Sequence, residues 1–133
     1  MIEIYTDGGS RGNPGPAAYG FIVKSQGQTI HKQNGYIGIA TNNTAEYTAV
    51  LEALKWLTEK FKNENLKFFM DSQLVVSQMS GLYKVKNNNI RDLLFKIREL
   101  ESNFTSVSLT HIPREENMEA DRQVNLALDN HGA

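Results

Sequence analysis

Ile2-Glu3-Ile4-Tyr5-Thr6-Asp7-Gly8-Gly9 decides how the rest of the chain is read. Ile2, Ile4 and Thr6 fall on one face of a period-two pattern and Glu3, Tyr5 and Asp7 on the other, which predicts a strand ending on a carboxylate. Two glycines follow that carboxylate. With Gly12, Asn13, Pro14, Gly15 and Pro16 they form a turn cluster. A second β run covers Ala18 to Val23. Ser25-Gln26-Gly27-Gln28 signals a hairpin, and Thr29 to Ile37 reads as a third strand, so the chain opens as an antiparallel meander.

Outward from this start the pattern changes period. Thr41-Asn42-Asn43-Thr44 offers several N-cap residues, and Val50, Ala53, Leu54, Leu57 and Phe61 then recur at helical spacing up to a stop near Asn63–Asn65. Leu66 to Met70 is a short apolar strand; a helix precedes it, as expected of a buried parallel strand. Ser72 to Met79 suits a short helix stopped by Gly81. After Asn87-Asn88-Asn89, a second amphipathic helix carries Ile90, Leu93, Leu94, Ile97 and Leu100. Val107 to Thr110 is the last strand, His111 to Asn117 a polar loop, and Ala120, Val124, Ala127 and Leu128 mark a further helix. The order βββαβααβα predicts an α/β fold, a mixed sheet with helices on its faces.

The 133 residues predict one domain over 1–133 with a core of its own. The chain has no cysteine, which excludes disulfides, thiolate metal sites and cysteine nucleophiles. No apolar run approaches the roughly 18 residues of a membrane span, and no signal core precedes the first strand, so the expectation is no membrane association and a cytoplasmic location. A net charge of −1 does not advertise a nucleic-acid binder. Acids gathered at one site would, however, leave the remaining surface mildly basic.

Four acids break the patterns around them. Glu46 lies four residues before Val50 and seven before Ala53, on the apolar stripe of its helix; Asp121 lies three residues before Val124 and seven before Leu128, again on the inward stripe. Asp7 and Asp71 each follow a strand, at the end where ligands collect in α/β sheets. An acid turned toward a core costs several kcal/mol unless it is paired or bound to a cation. Each has an ordinary alternative: Asp121 as a first-turn acid favoured by the helix dipole, Asp71 as a cap. A cluster of three or four carboxylates points to hard divalent cations, Mg²⁺ or Mn²⁺.

Tyr5-Thr6-Asp7-Gly8-Gly9 with Gly12-Asn13-Pro14-Gly15-Pro16 resembles the opening of type 1 ribonuclease H. So do Thr41-Asn42-Asn43-Thr44-Ala45-Glu46, Asp71-Ser72-Gln73, and His111-Ile112-Pro113-Arg114-Glu115-Glu116-Asn117 leading to Ala120-Asp121. The resemblance spans essentially the whole chain in order and spacing. It implies a ribonuclease H-like fold: a five-stranded mixed sheet, antiparallel then parallel, flanked by helices. It implies hydrolysis of the RNA strand of RNA–DNA hybrids with two Mg²⁺ or Mn²⁺ ions, leaving 5′-phosphate and 3′-hydroxyl ends. By motif position Asp7, Glu46, Asp71 and Asp121 are similar to the family's metal-binding catalytic acids, and His111 to its mobile accessory histidine. Gly9, Asn13, Asn42, Asn43 and Gln73 match groove-reading positions, where amides meet the 2′-hydroxyls that distinguish RNA. Thr41 and Asn87 match a pocket for a phosphate of the DNA strand, and Asn117 a position near the site. Gly9 and Asn13 also suit turns, and Asn42, Asn43 and Asn117 also suit helix caps.

Two departures carry expectations of their own. Ile39 stands two residues before Thr41, where some members have arginine; Lys84 or Lys86 is the expected replacement. Only Leu82-Tyr83-Lys84-Val85-Lys86 separates Gly81 from Asn87, so the basic protrusion of many members is absent. Tyr83 and Lys86 are its partial substitutes in a version that binds hybrid more weakly. Trp56, Met70, Met79 and Met118 read as packing residues. The resemblance implies a bare catalytic unit, monomeric and without an obligate protein partner. The competing readings are a same-fold nuclease that also cuts double-stranded RNA, and a non-catalytic nucleic-acid-binding relative.

Overall fold

The computed structural model describes residues 1–132; Ala133, the last residue of the expected domain, lies outside the described residues. In chain order the elements are β1 (Ile2–Ser10), β2 (Gly15–Ser25), β3 (Gln28–Ala40), α1 (Asn42–Lys60), β4 (Asn65–Met70), α2 (Gln73–Met79), α3 (Asn88–Glu101), β5 (Ser106–His111), a 3₁₀ turn (Arg114–Glu116) and α4 (Met118–His131). One five-stranded sheet runs in the order β3-β2-β1-β4-β5. β1 pairs antiparallel with β2 and parallel with β4, so the opening strand sits at the centre, where the sheet changes from antiparallel to parallel. This is the expected mixed architecture.

The two faces are covered differently. Ile2, Ile4, Leu66 and Phe68 pack beneath α1, where Ala49, Val50, Ala53, Leu54 and Leu57 form the main core, with α3 behind it. α4 covers β2 and parts of β1 and β3 on the other face, burying Ala18, Val124, Ala127 and Leu128. Gly20 makes that approach possible: a Cβ there would lie 2.6 Å from the Gln123 Cβ and 2.8 Å from the Ala120 carbonyl oxygen. Gly20 pairs with Asp7, which places Asp7 on the α4 face. The β1–β4 ladder runs as far as Tyr5 and Phe69, whose rings stack at 4.8 Å; Asp7 and Asp71 lie just beyond.

Several boundaries differ from expectation, those of the strands because backbone pairing continues past the local signal. β1 runs through Gly8 and Gly9 to Ser10, since their partners Tyr19, Ala18 and Ala17 extend the ladder and a strand needs no side chain there. β2 begins at Gly15 and β3 reaches Ala40, which puts Ile39 in a strand with its side chain exposed. α1 stops at Lys60, with Phe61 as its C-cap. His111 is the last residue of β5, paired with Met70, and not part of a loop; the Ile112 N–H then donates to the Met70 carbonyl at 2.9 Å and carries the connection on. Trp56 packs against the core as expected, between His31 and Phe61, whereas Met118 is exposed and packs nothing away. Among the described residues no helix is long and apolar enough to cross a membrane.

Candidate active site

Asp7 and Asp71 project from neighbouring parallel strands, Glu46 from the first turns of α1, and Asp121 from the first turn of α4. All four line one hollow of about 300 Å³, together with Gly8, Gly9, Ser10, Arg11, Asn42, Arg114 and Asn125. Glu46 gets there because Gly8 has no side chain: a Cβ on Gly8 would lie 2.2 Å from the Ala45 carbonyl carbon and 2.3 Å from the Glu46 nitrogen. Behind the hollow is a niche of about 10 Å³ bounded by Thr6, Asp7, Glu46, Met70 and Asp71. That is room for one water-sized occupant.

The electrostatics are those of crowded acids. Burial, then the charges of Asp71, Asp121 and Glu46, push the Asp7 carboxyl up to about 8, against a partial offset from the Gly8 N–H. Burial pushes Glu46 up to about 7; a hydrogen bond from Ser72 pulls it partly back, and Asp71 raises it further. The Glu46 Oε2 is buried with no hydrogen-bond partner. Arg114 also reaches the site, with Nη2 3.9 Å from the Asp121 Oδ1, and it is largely exposed. Such a set suits a hard divalent cation: oxygen donors only, excess negative charge, an orphan carboxylate oxygen and a niche of ionic size. Among the described residues no three acids or histidines converge into a closed ligand set.

The amide residues divide into several jobs. The Asn117 Nδ2 donates to the Thr6 carbonyl at 2.9 Å and to the Asp71 Oδ2 at 3.2 Å; its side chain does not cap α4. It therefore ties the start of α4 to both acid-bearing strands. The Asn42 N–H donates to the Asn13 Oδ1 at 3.0 Å, while the Asn42 Oδ1 accepts from the Ser10 N–H at 2.8 Å. This pair locks the glycine-rich β1–β2 connection onto the start of α1. The α1 cap is Thr41, whose Oγ1 accepts from the Thr44 N–H, and neither Asn42 nor Asn43. Asn42, but not Asn43, lines the hollow.

Other positions lie apart from the acids. Gln73 donates to the Ser77 Oγ within α2, and Asn87 caps α3 by accepting from the Ile90 N–H. His111 is exposed at the end of β5 and does not line the hollow. Thr41 and Ile39 line a separate hollow with Pro14, Asn89, Asp92 and Lys96. The lysine that lines this hollow is Lys96 of α3, neither Lys84 nor Lys86. Sequence reasoning missed Lys96, Ser72, Arg114, Arg11 and Asn125. For Asn125 a signal existed: Asp121, Asn125 and Asp129 recur every fourth residue, a polar stripe on one side of α4.

A carboxylate cluster at the point where a mixed sheet turns from antiparallel to parallel is the layout of a metal-dependent phosphodiesterase. The family described as reverse transcriptase-like matches residues 5–127. The chain is 40% identical over 129 residues to a ribonuclease HI of Halobacterium salinarum, covering 96% of this chain and 64% of that protein. It is 40% identical to a bifunctional protein of Mycobacterium tuberculosis over 96% of this chain and 35% of the other, so it spans less than two thirds of the curated relatives it matches first. The crystal structure of LC11-RNase H1 in complex with an RNA/DNA hybrid superimposes with a TM-score of 0.95, at 41% identity over 100% of both chains. The chain belongs to the type 1 ribonuclease H family, in a compact form without the basic protrusion.

Proposed function

We propose that this chain is a single catalytic domain that hydrolyses the RNA strand of RNA–DNA hybrids, leaving 5′-phosphate and 3′-hydroxyl ends. The observation that carries the reading is the niche between Asp7, Glu46 and Asp71, with its orphan Glu46 oxygen and with Asp7 and Glu46 pushed up by burial and by the neighbouring acid charges. Asp7, Glu46, Asp71 and Asp121 hold two Mg²⁺ or Mn²⁺ ions when substrate is bound. When present, such ions supply an activated water and stabilise the leaving oxygen. The chain's own part is to hold four carboxylates in place and to release the protons of Asp7 and Glu46 as the cations enter. Asn117 keeps Asp71 directed inward. Gly9, Asn13, Asn42, Asn43 and Gln73 read the RNA strand, with Asn13 acting through Asn42. Thr41 and Asn87 receive a phosphate of the DNA strand, and Lys96 supplies the charge that Ile39 lacks. Tyr83 and Lys86 widen the contact. The protein acts as a monomer in the cytoplasm, without a protein partner.

The test is direct. Purified protein is incubated with labelled RNA–DNA hybrid, duplex RNA and duplex DNA, each with Mg²⁺, Mn²⁺ or chelator. Cleavage of hybrid in either metal, lost on chelation and in Asp71→Asn, is the expected result. Binding without cleavage in both metals sinks the reading and leaves a nucleic-acid-binding relative. Equal cutting of duplex RNA transfers it to a broader nuclease.

His111 is proposed as an accessory in proton transfer or product release. His111→Ala is expected to lower turnover by roughly tenfold to a hundredfold without abolishing it. Unchanged turnover across the pH range removes the role.

A further inference from the structure

Asp121 is held differently from the other three acids. Its carboxylate is partly exposed and faces two groups: Arg114 at 3.9 Å from Oδ1, and the Asn125 Nδ2, which donates to Oδ2 at 3.3 Å and to the Asp121 carbonyl at 3.1 Å. Asn125 is in turn fixed from outside α4. The Arg11 Nη2, from the β1–β2 connection, donates to the Asn125 Oδ1 at 3.3 Å and lies 2.7 Å from the Asp129 Oδ1. Asp121, Asn125 and Asp129 lie one turn apart along α4, and Arg11 crosses that stripe. Both Arg11 and Asn125 line the hollow.

We infer that Arg11 and Asn125 form a strut that holds the Asp121 Oδ2 and leaves Oδ1 directed into the hollow, where Arg114 is its neighbour at 3.9 Å. The polarity fits. The Arg11 guanidinium fixes the amide oxygen of Asn125, so the amide NH₂ must turn toward Asp121. One oxygen of Asp121 is thereby held, and the other faces the site. Without the amide, the carboxylate is free to rotate and offer both oxygens to the exposed Arg114, which competes with a cation for the same charge. Arg11 and Asn125 are positioning residues; neither touches the reacting atoms. The strut also joins α4 to the β1–β2 connection that carries Asn13.

The inference rests on the proposed metal-dependent reading, and its test separates the two. Mn²⁺ is titrated into the substrate-free protein and followed by electron paramagnetic resonance, for wild type, Asn125→Ala, Arg11→Gln and the double variant. Asn125 is an exposed helical position where alanine favours the helix, so folding is kept, and thermal unfolding checks this. Asn125→Ala is expected to bind Mn²⁺ roughly tenfold more weakly, with cleavage recovered at high Mn²⁺. Arg11→Gln is expected to show a smaller loss, and the double variant no more than Asn125→Ala alone, because Arg11 acts through Asn125. Unchanged Mn²⁺ affinity in Asn125→Ala overturns the strut, as do losses that multiply in the double variant. A wild type that binds Mn²⁺ but cuts no hybrid overturns the reading of function and leaves the strut standing; a wild type that binds no Mn²⁺ overturns both.

Discussion

Asp7→Asn is expected to lower hybrid cleavage by roughly a thousandfold or more while making the metal-free protein more stable at about pH 8. The activity loss follows from removing the central carboxylate of the niche. The stability gain follows from linkage. The Asp7 carboxyl is raised from 3.8 to about 8 and that of Glu46 from 4.5 to about 7, so the folded protein holds protons that the unfolded chain gives up. Their contribution is complete below the unfolded values and is lost as pH rises through about 7 and about 8. Without divalent ions the wild type is therefore expected to lose stability between about pH 5 and about pH 8. Asparagine has no proton to lose, so the variant is expected to be flatter over that range. A gain of about 1–2 kcal/mol corresponds to a rise of several degrees in unfolding temperature. Mg²⁺ should raise the wild type and leave the variant nearly unmoved. Calorimetry at several pH values, with Mg²⁺ and with chelator, checks all of this; a variant less stable than wild type at pH 8 in chelator contradicts it.

Gly8→Ala is expected to destabilise the fold by about 3 kcal/mol or more, at the upper end of overpacking. The added methyl would lie 2.2 Å from the Ala45 carbonyl carbon, 2.3 Å from its oxygen and 2.3 Å from the Glu46 nitrogen. All three are backbone atoms, so no flexible side chain can move aside. Relief requires α1 to shift from the sheet, carrying Glu46 with it. Gly9→Ala is the contrast: its methyl would meet only the Val124 Cγ1, at 3.5 Å, an ordinary contact. Gly9→Ala is expected to keep its urea midpoint within about 1 kcal/mol of wild type and to weaken hybrid binding, where a backbone approach is blocked. Two adjacent glycines would then separate cleanly, one serving the fold and the other the substrate. Equal stability losses at both positions would defeat that assignment.

The four acids were legible in the sequence because each interrupts an apolar pattern whose period was clear. The order of strands and helices was legible for the same reason. Element ends were less so: Gly8 and Gly9 look like a turn, but cross-strand pairing with Tyr19 and Ala18 keeps them in β1. His111 looked like a loop residue because the signal of β5 fades at Thr110, while Met70 continues the ladder. The lysine beside Ile39 could not be found from chain proximity. Lys84 and Lys86 lie closer in sequence, but the packing of α3 against α1 brings Lys96 to that hollow. The Arg11–Asn125 contact joins residues separated by 114 positions, and no local pattern specifies it. Periodicity reports which face a residue lies on; it carries no information on which distant side chain meets it there.

The central place of β1 has a consequence for how the protein is made. β1 is synthesised before its parallel neighbour β4, and α1 must form between them. Such long-range pairing is slow compared with local helix formation. On the ribosome, a chain that has produced β1 to β5 carries Asp7, Glu46 and Asp71 but not yet Asp121, nor the Asn117 that ties Asp71 to β1. Such a nascent chain has neither the fourth acid nor the clasp. The docking of α4 brings in both, and it is the step that also closes the second core.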